Sequence, residues 1–363
     1  MLRKFPRPLK RIVVKIGSAA IADENFLPNR RWLRSLIKQI AFTHSQGIEI
    51  VVVSSGAIVL GIGELRERHI IKNDVASLQA FAAVGQTVLM RAYSELFKRK
   101  NLHCAQVLLT WDDFDNRKRN NNAKKTLLSI LEKGVIPIVN ENDTIAIDEI
   151  RFGDNDRLSA FVASLLHADL LIILSDVEGL YELKDGERHV LSEVKEITAE
   201  IERIAGGPMK GKMSKGGMAA KLDAIKIAAH ARIPCIVASS MVRDVLTRII
   251  TGEHIGTYFV EKQDKILARK HWIAFQAKVK GKVVIDDGAK DALVNKGKSL
   301  LLPGIISWDG YFKKGDVVSV FDKDGIEIAR GVINYSVAEL NKIEDKKGRQ
   351  ELIHRNNLLL MGK

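Results

Sequence analysis

Cysteine is almost missing from this chain of 363 residues. The two present, Cys104 and Cys235, sit in apolar, strand-like runs, so no disulfide framework is expected and both read as buried free thiols. Long apolar runs are missing as well. None approaches a membrane span, so no membrane partner is expected. The basic start, Arg3 to Arg11, is interrupted by Pro6 and Pro8 and lacks the apolar core of a signal peptide. A cytoplasmic protein is the expectation.

The familiar glycine fingerprints are absent too. A P-loop needs G-x-x-x-x-G-K-[ST] directly after a strand. Gly206 to Lys212 has that spacing, but Met213 stands where a hydroxyl must hold magnesium, and a helix-like segment precedes it. Gly297-Lys298-Ser299 has Ala292 in place of the first glycine. Gly61-Ile62-Gly63 has Arg66 where a dinucleotide fingerprint wants its third glycine.

What is present is a soluble, foldable composition: 46% hydrophobic and 28% charged, which argues against bulk disorder. The length exceeds what one core usually serves, so two domains are expected. A formal charge of +13 raises anionic substrates or nucleic acid as partners. The tail from Lys270 is denser in positive charge than the rest but not polybasic, which permits nucleic-acid contact without demanding it.

Short, nearly all-apolar runs recur at Ile12 to Lys15, Ile48 to Val53, Ala105 to Leu109, Val135 to Val139, Leu170 to Leu174 and Pro234 to Val237. Strands buried on both faces read this way. Helical periodicity lies between them at Arg31 to His44, Asp74 to Lys98, Asn122 to Glu132, Leu158 to Leu166 and Ala219 to Ala231. The alternation predicts an α/β fold, a mainly parallel sheet covered by helices on both sides. The polar stretch Asp112 to Lys125 is too hydrophilic for core and reads either as a regulatory segment close to the substrate edge or as a solvated loop capping the following helix. A first domain over 1–258, a charged linker over 259–271 and a small β-rich domain over 272–363 are expected. In the last, Asp-Gly at Asp287-Gly288, Asp309-Gly310 and Asp324-Gly325 signals hairpins or turns.

Chemistry concentrates where strands end. Lys15 closes the first apolar run, at the carboxyl edge where open α/β sheets bind ligands. Lys215-Gly216-Gly217-Met218-Ala219-Ala220-Lys221 opens a helix, bringing a second cation and free N–H groups. Two lysines around one anion suggest phosphoryl transfer. Ser54-Ser55-Gly56-Ala57 reads equally as an anion approach or as a plain strand-to-helix turn. Asn140-Glu141-Asn142-Asp143 and Gly153-Asp154-Asn155-Asp156 place more carboxylates and amides at one edge than capping requires. They suit an ammonium group or a metal, and Asp156 is also a natural N-cap. Asp176, after the run Leu170 to Leu174, reads as an acid orienting the two lysines or as an Asx turn.

Taken in order, Val13-Val14-Lys15-Ile16-Gly17-Ser18, Ser55-Gly56-Ala57, Asn140 to Asp143, Gly153 to Asp156, Ser175-Asp176-Val177-Glu178-Gly179-Leu180-Tyr181 and Gly216 to Lys221 resemble the amino acid kinase family over nearly the whole chain. The tail resembles a PUA domain at Ile285-Asp286-Asp287-Gly288-Ala289 and Ser299 to Ile305. The resemblance implies a three-layer αβα fold. It also implies ATP-dependent phosphorylation of the side-chain carboxylate of L-glutamate, the first step of proline synthesis, with Mg2+. By the same resemblance Lys15, Lys221 and Asp176 are catalytic. Lys15, Ser175, Asp176, Lys215, Gly216, Gly217, Met218, Ala219, Ala220 and Lys221 serve ATP. Ser55, Gly56, Asn140, Asp143, Asp154, Asn155 and Asp156 hold glutamate. No protein ligand of magnesium is assigned. Family patterns place Thr where this chain has Ser18, Ser175 and Ala220; Ala219 and Ala220 remove hydroxyls from the nucleotide loop. Proline as feedback inhibitor and a homo-oligomer, dimer or tetramer, are implied as partners.

The chemistry agrees independently. A glutamate carboxylate, with an ordinary pKa of about 4.3, is ionised at neutral pH and needs no general base. It needs relief of repulsion between anions and in-line placement. Acetylglutamate and aspartate kinases would share the lysines. The former acts on a neutral amide, and the latter normally carries ACT-type domains in place of this tail. An RNA-binding reading rests on Lys278, Lys280, Lys282, Lys296, Lys298, Lys313 and Lys314 with Trp308, Tyr311 and Phe312 as stacking rings.

Overall fold

The computed structural model describes residues 2–67, 74–145, 155–184, 186–206, 217–261, 279–343 and 350–361. The backbone forms two compact units, Met1–Asp113 with Arg117–Asp264 and Phe114–Asn116 with Lys265–Lys363.

Ten strands belong to the first unit: β1 (Arg11–Ile16), β2 (Glu49–Ser54), β3 (Cys104–Leu109), β4 (Ile136–Glu141), β5 (Leu170–Ser175), β6 (Tyr181–Lys184), β7 (Glu187–Val190), β8 (Glu193–Val194), β9 (Cys235–Ser239) and β10 (Thr257–Phe259). Eight of them form one sheet in the order β3-β4-β2-β1-β5-β9-β10-β8, and β6 pairs with β7 as a separate hairpin. Within the sheet the neighbours run parallel except β9 with β10. The central strands are apolar because both faces are covered. β10 extends this sheet past position 258 to the buried Phe259.

Helices of this part of the chain are α1 (Ser18–Ile21), α2 (Arg30–Ser45), α3 (Ala57–Leu65), α4 (Val75–Lys98), α5 (Trp111–Asp115), α6 (Arg117–Glu132), α7 (Asn155–Leu166), α8 (Ala199–Ile204), α9 (Met218–His230) and α10 (Val245–Ile250). Side chains alternate across a strand, so β1 divides cleanly. Ile12, Val14 and Ile16 join α2, α4 and α10 in one core. Lys15 projects to the other face, which α7 covers by packing on β1, β2, β4 and β5. This is the expected three-layer arrangement.

Two expectations in this unit need correction, and two glycines find their role. The polar stretch Asp112 to Lys125 is helical, in α5 and the first turns of α6; Leu127 and Leu131 alone anchor α6, so its amino-terminal half shows no apolar period. Gly61 and Gly63 lie inside α3, where Gly61 permits contact with α4: a Cβ there would stand 1.9 Å from the Phe81 carbonyl oxygen. Cys235 is buried as expected, but Cys104 is only half-buried at the edge strand β3.

In the second unit β11 (Val279–Ile285), β13 (Ile305–Gly310), β14 (Val317–Phe321), β15 (Glu327–Val332) and β17 (Leu358–Leu360) form a five-stranded sheet. The short strands β12 (Leu300–Leu301) and β16 (Glu351–Ile353) pair separately. Asp287-Gly288 does not make a hairpin turn. It opens α11 (Asp287–Val294), because the Asp286 carboxylate accepts the Ala289 N–H at 2.7 Å and caps that end. α12 (Val337–Leu340) closes the unit with a capping box between Ser336 and Glu339. The core holds Val283, Ile285, Val318, Val320 and Phe312.

Candidate active site

Strand register brings the functional residues to one edge. Lys15 lies opposite Val53 and Ile173, Ile16 opposite Ser54 and Leu174, and Ser175 opposite Ser239. Strand β1 stands between β2 and β5, with the chain continuing to β2 on one side and returning to β5 on the other. That reversal of strand order opens the crevice in which such sheets hold ligands.

Two lysines and one aspartate occupy it. Lys15 Nζ is 2.6 Å from Asp156 Oδ1, and Lys221 Nζ is 3.2 Å from Asp156 Oδ2. All three are buried. One carboxylate between two ammonium groups leaves a net positive charge where water is scarce, and charge interactions are strong there. An incoming anion would complete the neutralisation.

The bridging carboxylate is thus Asp156, and Asp176 does not take that place. Nor is Asp156 an N-cap; it lies within the first turn of α7, and the packing of α7 on β1 carries it to Lys15. Asp176 is exposed beyond β5 and accepts the Ser175 hydroxyl at 2.8 Å. That hydrogen bond, aided by the charges of Lys221 and Lys15, holds its carboxyl below the ordinary range. It remains an ionised group at the rim of the same crevice.

The start of α9 supplies backbone donors. Gly217 is the N-cap and no side chain caps the helix, while Met218, Ala219 and Ala220 form its half-buried first turn. Uncapped N–H groups of that turn favour a phosphate. Lys221 follows on the buried side. Lys215 and Gly216, assigned to ATP from the sequence, lie outside the described residues, as does Asp154 of the glutamate set.

Beyond β2 and β4 the edge is built of amides and hydroxyls. Gly56 has φ +100°, a conformation open to glycine, and turns the chain from Ser54-Ser55 into α3. Asn155 Nδ2 donates to the Ser54 carbonyl at 3.2 Å, to Ser55 Oγ at 2.9 Å and to Asn140 Oδ1 at 3.0 Å. Asn140 Nδ2 in turn donates to Gln86 Oε1 at 2.9 Å. Ser54 Oγ lies 3.0 Å from the hydroxyl of the buried Tyr93, so α4 supports this edge at two points. Asp143 sits half-buried in the turn after β4, and burial pushes its carboxyl up to about 6. Ser55, Gly56, Asn140, Asn155 and, one turn on, Asp143 follow the ends of β2 and β4 and the start of α7. Gln86 and Tyr93 were not identified from the sequence, although a glutamine on the buried stripe of α4 is a signal that something polar faces it.

Comparison with known proteins bears on this geometry. A family model described as the amino acid kinase family matches residues 10–239, and a PUA domain model matches residues 281–355. A glutamate 5-kinase of Dictyoglomus turgidum is 46% identical, with 97% of each chain covered. One of Citrifermentans bemidjiense is 41% identical over 99% of this chain and 100% of that one. The solved UMP kinase of Bacillus anthracis aligns at 18% identity with a TM-score of 0.48, covering 72% of this chain and all of that one.

Proposed function

The chain belongs to the amino acid kinase family, and from that premise we propose that it phosphorylates the side-chain carboxylate of L-glutamate with ATP, the activity of a glutamate 5-kinase and the first step of proline biosynthesis. The observation that carries this reading is the Lys15-Asp156-Lys221 group beside a separate edge of amides and one carboxylate. The first suits a phosphoryl group in transfer. The second suits an amino acid's polar end.

A glutamate carboxylate oxygen attacks the γ-phosphorus, a new O–P bond forms, the bond to the β,γ-bridging oxygen breaks, and ADP departs with that electron pair. No proton moves, so no histidine base is needed. Lys15 and Lys221 offset the charge gathered on the transferring oxygens, and Asp156 holds them in place before substrate arrives. N–H groups at the start of α9, with Ser175 and Asp176 at the end of β5, serve the nucleotide. Ser55, Asn140, Asn155 and Asp143 hold glutamate, with the Asp143 carboxylate facing its ammonium.

Among the described residues no cluster of three or more His, Cys, Asp or Glu is arranged to hold a metal. Mg2+ arriving with ATP would supply further charge neutralisation, and Asp176, ionised at the rim of the crevice, is the protein group that would face it. Proline shares the amine and α-carboxylate of glutamate and acts as a competing feedback inhibitor in this reading, and the enzyme works as a homo-oligomer. Among the described residues no helix is long and apolar enough to cross a membrane.

An RNA-binding role for the tail loses support from the rings assigned to it. Phe312 is in the core of the second unit, Trp308 Nε1 donates to Asn341 Oδ1 at 3.2 Å, and Tyr311 alone is fully displayed. Lys278 lies outside the described residues. ADP release measured with glutamate, acetylglutamate, aspartate and carbamate tests the assignment. Glutamate should be the preferred acceptor; preference for acetylglutamate or aspartate would move the chain to another branch of the family.

A further inference from the structure

Three side-chain amides stand in series across the substrate edge: Gln86 on α4, Asn140 at the end of β4 and Asn155 at the start of α7. All three are more than nine-tenths buried. Each amide has a donor end and an acceptor end, so the direction of the series matters.

Two backbone groups fix that direction. Asn155 Nδ2 faces the Ser54 carbonyl at 3.2 Å, and a carbonyl only accepts. Asn140 Oδ1 receives the Glu141 N–H at 2.9 Å, and an N–H only donates. Neither asparagine can turn over without setting like against like. Asn140 must then present Nδ2 to α4, and Gln86 answers with Oε1 at 2.9 Å. At the far end Asn155 is left with its Oδ1 turned away from Ser54, Ser55 and Asn140. This oxygen is buried and, among the described residues, has no hydrogen-bond partner. An acceptor held dry and unpartnered is a place for a donor from a ligand.

We propose that Gln86 is a positioning residue that sets selectivity for a substrate carrying a free α-ammonium group. This rests on the reading that glutamate binds at this edge. Gln86 gives the Asn140 amide its only acceptor at that end among the hydrogen bonds described; Asn140 Oδ1 thereby stays on Asn155 Nδ2, and Asn155 Oδ1 stays aimed at the ammonium. With an apolar residue at 86, Asn140 Nδ2 would be buried without a partner. Its rotation in search of one would release Asn155. The loss should fall on binding of the ammonium and spare the phosphoryl site, because the ion pairs described for Lys15 and Lys221 run to Asp156, whereas the series hydrogen-bonds to Ser54, Ser55 and α4.

The test compares glutamate with glutarate, which lacks the amino group, as acceptors for the full chain and for Gln86→Met. Methionine has a similar length and no acceptor of comparable strength. We expect a KM for glutamate raised about tenfold, the size of one misaligned charge-assisted hydrogen bond. The kcat and the KM for ATP should stay within about threefold, and kcat/KM for glutarate within about twofold, so that the preference for glutamate collapses. Gln86→Glu keeps a carboxyl oxygen at the same reach and should restore most of the preference. Equal losses on both acceptors, or an unchanged preference in Gln86→Met, would overturn the positioning role. Should Gln86→Met fail to fold, a tenfold fall of preference in Gln86→Glu would overturn it equally. A wild-type enzyme that does not discriminate glutamate from glutarate would refute the glutamate reading itself, a result separable from the behaviour of the variants.

Discussion

Removing either lysine takes away the excess positive charge that this group offers an anion. Lys15, Asp156 and Lys221 together carry one net positive charge; with one lysine removed, the remaining pair is neutral. Lys15→Ala and Lys221→Ala should each lower kcat by about 10²- to 10³-fold, more than they raise the KM for glutamate, since the cation acts on the transferring group. Steady-state rates on folded, purified variants check this. Asp143 makes a second expectation at the same scale. Its carboxyl is pushed by burial up to about 6 from an ordinary 3.8. A raised folded-state value means that the native chain holds a proton the unfolded chain releases between those limits. Its contribution to stability is therefore full below about 4 and lost as pH rises through about 6. Substrate binding runs the opposite way, because only the ionised form pairs with an ammonium. The KM for glutamate should rise as pH falls from 7 to 5, while glutamate itself, with a side-chain pKa of about 4.3, stays mostly ionised. Asp143→Asn should raise that KM at pH 7 and flatten the profile; a profile of unchanged slope would assign the titration to another group. The sequence was readable for both lysines, since a cation closing an apolar strand and another in a helix's first turn are local features. Which acid joins them was not. Asp156 and Asp176 each stand beside a strand or helix end, and only the packing of α7 on β1 separates the buried bridge from the exposed rim.

At the scale of elements, strands were the most legible because burial on both faces writes them as short apolar runs. Observed limits differ from the expected ones mainly where a polar residue ends the strand, as Ser54 does in β2 and Ser175 in β5. Those residues are also functional, so polarity at a strand end marks the site and hides the boundary. Helices resting on few apolar contacts were obscured: α6 begins with Arg117 to Asn122, a stretch with no apolar residue, and reads as loop for that reason. Contact between α3 and α4 was invisible for a different cause, since glycine at a crossing looks like any other glycine. A Cβ on Gly85 would stand 1.8 Å from the Ala57 carbonyl oxygen and 2.4 Å from the Gly61 nitrogen. Both obstacles are backbone, so the helices must part. Gly85→Ala should destabilise the fold by about 1–3 kcal/mol or more, read as a lowered urea midpoint. Ala57 is the first residue of α3 after the Gly56 turn, and Gly85 precedes Gln86, so the displacement reaches the glutamate edge from both sides. A raised KM for glutamate with little change in the KM for ATP is expected alongside the lost stability. Unaltered stability would mean that the two helices are free to separate at no cost.

For the whole molecule the question is where the catalytic unit ends. Every described residue assigned to phosphate or glutamate lies between Lys15 and Lys221, within the first unit. Its sheet, however, does not stop at the expected boundary of 258. Phe259 is the last residue of β10, pairs with Cys235 of β9 and with Val194 of β8, and is buried. Val260 continues with an N–H to the Val194 carbonyl at 3.0 Å. Ending the chain after Tyr258 removes a buried ring and these pairings, and should cost stability of the order seen for large core truncations, about 3–5 kcal/mol. Ending it after Glu261 keeps them. The chain cut after Glu261 should therefore fold and retain kcat within about threefold of the full protein, whereas the chain cut after Tyr258 should unfold at a lower temperature. Thermal melts of the two truncations, followed by ADP-release rates on whichever remain folded, measure both halves of the expectation. Equal melting temperatures would deny β10 its part in closing the sheet. A soluble, folded chain cut after Glu261 that lacks all activity would show that the second unit, or an assembly requiring it, completes the phosphoryl-transfer site.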